Sequence, residues 1–113
     1  MKEPYLSEIV AQLQPIAPAK IILFGSQASG TADDASDLDL LVVLRDDRLP
    51  ATHREKEEAY LTVARLLRNI RRKTPVELIV HTQPMHRQFI EMNSLFARQV
   101  LEKGILLYEA DNA

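Results

Sequence analysis

The stretch Phe24–Val43, FGSQASGTADDASDLDLLVV, joins two apolar segments through a polar turn, and its division sets the fold. Ile21-Ile22-Leu23-Phe24 is a short apolar run closed by Gly25, which reads as a buried strand. Gly25-Ser26 then opens a short helix. Glycine lets the backbone come close to a ligand. Backbone N–H groups at a helix start, with the Ser26 hydroxyl, suit an anion such as phosphate. Alone, a Gly-Ser dipeptide identifies nothing. Asp37 and Asp39 add a second constraint. They stand two apart at the start of the apolar segment Leu38–Leu44, so in a strand their side chains leave one face. Leu38, Leu40, Val42 and Leu44 take the other face, toward the core. Adjacent carboxylates repel, and burial makes their ionisation costlier. A divalent cation is the usual compensation, and oxygen-only ligands indicate Mg²⁺ or Mn²⁺ rather than zinc. The alternative starts the strand at Leu40 and leaves both aspartates solvated in the turn; spacing does not choose between the two.

Glu77 is the third acid of interest. It interrupts the apolar run Val76-Glu77-Leu78-Ile79-Val80, a third strand in which Glu77 and Ile79 share a face. If that strand neighbours Leu38–Leu44, Asp37, Asp39 and Glu77 converge on one cation site. Two ions there would clamp the attacking and leaving oxygens of a phosphoryl transfer. Otherwise Glu77 is an edge-strand glutamate facing water.

Outward from this core, Leu6, Ile9, Val10 and Leu13 recur at helical spacing before Pro15. Thr52-His53-Arg54-Glu55 fits a capping box. The helix it opens carries Ala59, Val63, Leu66, Leu67 and Ile70 on one side and ends in Arg71-Arg72-Lys73, where cations suit the helix dipole. Thr74-Pro75 stops it. Pro84 suits the first turn of a further helix. That helix breaks at Asn93-Ser94, where either residue suits the cap of a restart through Leu95, Phe96, Val100 and Leu101. Gly104 is placed to end it, and Ile105–Tyr108 makes a fourth strand. The expected fold is α/β, one small mixed sheet with helices packed on it, with residues 1–113 as a single domain.

Composition narrows the function classes. The chain has 113 residues, 46% hydrophobic and 27% charged, an ordinary soluble balance. It has no cysteine, which excludes thiol chemistry and thiolate metal sites. The longest apolar run, Leu40–Leu44, is far short of a membrane span. No apolar leader opens the sequence, so a cytoplasmic protein without membrane contact is expected. Net charge is −2, and only 5% of residues are aromatic, so direct nucleic-acid binding is not expected. The charge is polarised: residues 33–47 carry six aspartates against Arg45, and residues 48–73 carry eight Lys/Arg against three glutamates. Solvated faces explain this, or a cation site beside a partner-docking surface.

Gly25-Ser26, ten intervening residues and Asp37-Leu38-Asp39 match the G-S-x10-D-x-D signature of DNA polymerase β-like nucleotidyltransferases. Phe24 before the turn and Ser36 before the Asp pair match as well. The chain resembles the minimal nucleotidyltransferase (MNT) branch over nearly its whole length, including Leu101–Glu109. The resemblance implies a nucleotidyltransferase core in which Gly25 and Ser26 hold the triphosphate and Asp37 and Asp39 bind two Mg²⁺ ions. Glu77 would be the third metal ligand and would help deprotonate the attacking hydroxyl. It further implies AMP transfer from ATP to a tyrosine of a HEPN-domain ribonuclease toxin, with this chain as antitoxin in a hetero-oligomer.

Many relatives read G-S-R-A-R-G, whereas Gln27 and Ser29 stand here, so two phosphate-neutralising cations are missing, and Asp33 and Asp34 add negative charge. Lys20 or the basic helix end would have to compensate. A non-catalytic antitoxin that masks its partner sterically is the second reading. A small-molecule nucleotidyltransferase is the third, disfavoured because no acceptor-binding domain is expected in a chain this short. Of the histidines, His53 is expected at the surface, and His81 ends the third strand, near Glu77. Met85, Phe89, Met92 and Phe96 recur at helical spacing and are expected in the core; exposed, they would form a partner surface.

Overall fold

The computed structural model describes residues 3–30 and 37–110. Asp33, Asp34 and Ser36 lie outside the described residues. Helix α1 (Glu3–Leu13) runs into a 3-10 turn at Gln14–Ile16, where Pro15 stops it. Strand β1 (Lys20–Phe24) and the short helix α2 (Ser26–Ser29) follow. Then come β2 (Leu38–Val43), α3 (His53–Leu66), α4 (Arg68–Lys73), β3 (Val76–His81), α5 (Gln83–Met92), α6 (Leu95–Lys103) and β4 (Ile105–Glu109). Among the described residues no helix is long and apolar enough to cross a membrane.

The four strands form one mixed sheet in the order β3-β2-β1-β4. β1 pairs antiparallel with β2 and β4, and β2 pairs parallel with β3. The alternation of each strand divides the apolar residues between two layers. Ile21, Leu23, Leu38, Leu40, Val42, Val76, Leu78 and Val80 pack against α1, α3 and α4 through Ile9, Leu13, Val63, Leu67 and Ile70. Ile22, Phe24, Leu41, Val43 and Ile79 face the other way, against Phe89 of α5 and Val100 of α6. Burying each such side chain contributes about 1.5–3 kcal/mol.

The expected caps form. Thr52 Oγ1 accepts from the Glu55 N–H at 3.2 Å, and Ser94 Oγ accepts from the Ala97 N–H at 3.0 Å. The Glu55 carboxylate accepts from Ala51 N–H at 3.0 Å, one residue before the Thr52 N–H of a capping box. His53 is exposed as the first residue of α3.

The single helix expected from Thr52 to Lys73 is in fact two. It breaks at Leu67, where the Leu67 N–H bonds to Ala64 O at 3.2 Å in a tightened turn. Leu67 and Ile70 are both fully buried, one at the break and one beyond it. The apolar stripe of α5 and α6 also divides. Phe89 is half-buried, but Met92 is 75% and Phe96 44% exposed, because Ala97 and Val100 are the α6 residues facing the sheet.

Candidate active site

β1 delivers the chain to Gly25, whose φ of 75° and ψ of −155° lie in a region essentially restricted to glycine. Gly25 O accepts from the Ala28 and Ser29 N–H groups at 3.2 and 3.1 Å, which folds α2 back over the strand end. Gly30, in the left-handed region, closes α2 through its N–H to Ser26 O. The turn presses Gly25 against the Asp39 carboxylate: a Cβ at Gly25 would fall on Asp39 Oδ2. The two halves of the sequence signature therefore meet, with Ser26 beside Gly25 at the start of α2.

Asp39 lies between Phe24 of β1 and Glu77 of β3, in register with both. Register partners leave a sheet on the same side, so Glu77 shares the face of Asp39. Asp37 immediately precedes β2 and is exposed. Burial raises the Asp39 carboxyl above its ordinary pKa, and the charges of Glu77 and Asp37 push it further in the same direction. Both neighbouring acids thus act on Asp39. Glu77 is also what its alternative reading made it, an exposed residue on an edge strand.

Two cavities flank the acids. One, of about 400 Å³, is walled by Gly25, Ser29 and Asp39 on one side and by Phe96, Gln99 and Lys103 of α6 on the other. The second, of about 480 Å³, joins Asp37 and Glu77 with Tyr60, Arg71 and Pro75. Sequence reasoning missed the α6 wall. Its signal was the spacing of Phe96, Gln99 and Lys103, which puts all three on one side of a helix.

Among the described residues, no group of three or more His, Asp or Glu side chains is gathered closely enough to hold a metal ion unaided. The donor set still fits Mg²⁺, which takes one or two carboxylates and completes its shell with water and substrate phosphate. The raised Asp39 carboxyl marks negative charge that a cation would offset.

His81 is not near Glu77. The two lie at opposite ends of β3, four residues or about 13 Å apart. His81 is buried instead against His86 of α5, Nδ1 to Nδ1 at 3.1 Å. Lys20 is likewise at the far end of β1 from Phe24, 3.7 Å from Glu109, and cannot supply a missing phosphate cation.

A mixed sheet whose Gly-Ser turn closes on the strand-borne Asp39, with Asp37 just before the strand, fits a nucleotidyl-transfer fold. The sequence matches the nucleotidyltransferase domain model over residues 4–107, and the chain belongs to that family. No curated protein matches the sequence significantly. Similar solved structures include an inferred nucleotidyltransferase from Sulfolobus solfataricus, 21% identical with a TM-score of 0.60, covering 93% of this chain and 78% of that one. A chain in a toxin–antitoxin structure with AMP-PNP is 22% identical, TM-score 0.59, covering 93% and 73%. A chain in the complex of tri-AMPylated Shewanella oneidensis HEPN toxin with MNT antitoxin is 19% identical, TM-score 0.52, covering 97% and 74%.

Proposed function

We propose that this chain is an MNT-type antitoxin that uses Mg²⁺ to transfer AMP from ATP to a protein hydroxyl, a tyrosine of a HEPN-type ribonuclease toxin. The observation that carries the reading is the contact of Gly25 with Asp39, beside Glu77 in register. It brings the phosphate-binding turn and the acids together on one side of the sheet. The AMP-PNP bound in one similar structure and the AMPylated toxin in another support the nucleotide and the acceptor class.

Asp37, Asp39 and Glu77 would hold two Mg²⁺ ions, which when bound neutralise phosphate charge and polarise the reacting oxygens. The backbone at Gly25 and Ser26 orients the triphosphate from the β1 end. Phe96 offers the base an apolar wall, and Lys103 stands where it can offset phosphate charge in place of the cations missing at Gln27 and Ser29. Glu77, open to the second cavity, accepts the proton of the incoming hydroxyl. The hydroxyl oxygen bonds to the α-phosphorus, the α–β phosphoanhydride bond breaks, and pyrophosphate leaves. Most of the rate comes from positioning and charge.

Gln27 and Ser29 in place of arginines favour the second reading, a steric antitoxin. One experiment separates the two. A HEPN-type toxin is incubated with this chain, ATP and Mg²⁺, and its intact mass is read. Gain in whole AMP units, abolished by Asp39→Asn with the complex intact, is the expected result. An unmodified partner that wild type and Asp39→Asn inhibit equally would leave the steric role alone. Binding is tested separately: ATP with Mg²⁺ should raise the melting temperature, EDTA should cancel the rise, and Asp37→Asn/Asp39→Asn should lack it.

A further inference from the structure

Arg65, Arg68, Arg71 and Arg72 line one open groove of about 320 Å³ on the exposed side of α3 and α4, completed by the half-buried Leu61 and Ala64. Residues 65–73 hold these four arginines and Lys73 with no acidic residue among them. Lys73 is paired with Glu8 at 3.7 Å, and Arg71 donates to the Tyr60 hydroxyl at 3.4 Å. Among the described residues Arg65, Arg68 and Arg72 have no ion pair. Packing does not account for them, since Val63, Leu67 and Ile70 fix α3 and α4 from the opposite side. Helix electrostatics favours Arg65 and Arg72, in the last turns of α3 and α4, but not Arg68, the first residue of α4, where the helix dipole opposes a cation. Clustered like charge without a counter-charge is unfavourable and calls for an anionic occupant.

The groove also has a direction. Arg71 lines both this groove and the cavity that contains Asp37 and Glu77. A chain lying along the arginines is led to the acids. We infer that the groove docks an acidic segment of the acceptor protein and presents its hydroxyl at Asp37 and Glu77. The inference rests on the nucleotidyl-transfer reading. A protein segment fits better than nucleic acid: no aromatic ring lines the groove for base stacking, while Leu61 and Ala64 suit an apolar side chain between carboxylates.

The test uses the full chain and a fluorescein-labelled peptide in which one tyrosine is flanked on both sides by glutamates. Wild type should bind it with an affinity that falls as salt rises. Arg65→Glu/Arg68→Glu/Arg72→Glu should weaken binding about tenfold or more. The control Arg45→Glu/Arg87→Glu/Arg98→Glu, equal in net charge, should change it less than about twofold. Arg65→Lys/Arg68→Lys/Arg72→Lys should keep most of the affinity. If the reversal unfolds the chain, the Gln triple variant takes its place, with a loss of about threefold expected. Equal losses in the groove and control variants, no binding to wild type, or tighter binding of a uridine oligonucleotide would overturn the inference. Transfer is scored separately, by AMP incorporation into the peptide. Binding that needs the groove, without incorporation, upholds the groove and counts against the transfer reading alone.

Discussion

Asp39 and Glu77 sit directly opposite each other across the parallel β2–β3 pair, so both carboxylates leave the same face at one end of the sheet. Asp39 bears the consequence, because it is the more buried of the two and Gly25 closes over it. Its raised pKa means that the folded chain holds the Asp39 proton more tightly than the unfolded chain does. Stability from this group is therefore full below the unfolded value of about 3.9 and declines as pH rises through the folded one. Asp39→Asn should thus melt a few degrees above wild type at neutral pH without ligand, and the gap should narrow near pH 4. A neutral-pH melting temperature no higher than wild type would show that the like-charge cost is already offset within the fold.

Glu77 differs from Asp39 in exposure. It is exposed to the second cavity, away from Gly25. Glu77→Gln should keep the stabilisation by ATP with Mg²⁺ while lowering transfer by about 10²-fold or more, the scale of a positioned base. Transfer at the wild-type rate would assign the proton to another group.

Two glycines are needed for different reasons. At Gly25 both the backbone region and the Asp39 contact exclude a side chain, so Gly25→Ala should cost about 1–3 kcal/mol. In an Asp39→Ala background the collision is relieved and the cost should fall. Gly104 ends α6 as expected, with an ordinary φ of −68°. Its constraint is space: a Cβ would overlap Val100 O and lie 2.8 Å from Ile22 Cγ2. Gly104→Ala should cost about 1–3 kcal/mol by overpacking. Chemical denaturation of the four variants checks both, and equal costs for Gly25→Ala in the two backgrounds would separate it from Asp39.

The strands, the caps at Thr52 and Ser94, and the Gly25–Asp39 signature are legible in the sequence because each depends on residues within one short segment. Strand order is not, because the approach of β3 to β2 is decided by packing of α3 and α4, which lie between them in the chain. The break at Leu67 is hidden because the apolar spacing of Val63, Leu67 and Ile70 continues through it at helical intervals. The expectation that His81 lies near Glu77 fails because four residues of extended strand are close in sequence but not in space. Its true partner, His86, belongs to the next helix, and nothing in the sequence links the two rings.

That pair yields a prediction with a definite sign. His81 and His86 are buried at the end of the sheet remote from Asp39, with their Nδ1 atoms 3.1 Å apart. Such a contact needs a proton on one nitrogen and a lone pair on the other, so both rings cannot be charged. His86 Nε2 is buried without a partner. The tautomer with the proton on His86 Nδ1 leaves that Nε2 as a bare acceptor, which costs less than an orphaned N–H. Burial and the neighbouring His86 lower His81 to about 4. Burial and Lys20 lower His86. Both groups are thus neutral in the fold while unfolded histidine titrates near 6.5. Stability from the pair is full above about pH 6.5 and is lost as pH falls toward 4, because the unfolded chain takes up protons that the fold refuses. Wild type should lose several degrees of melting temperature between pH 7 and pH 5. His81→Phe/His86→Phe keeps an aromatic contact with Phe89 and removes both titrating groups, so its profile over the same range should be flatter. An equally steep loss in the double variant would trace the acid sensitivity to the carboxylates instead.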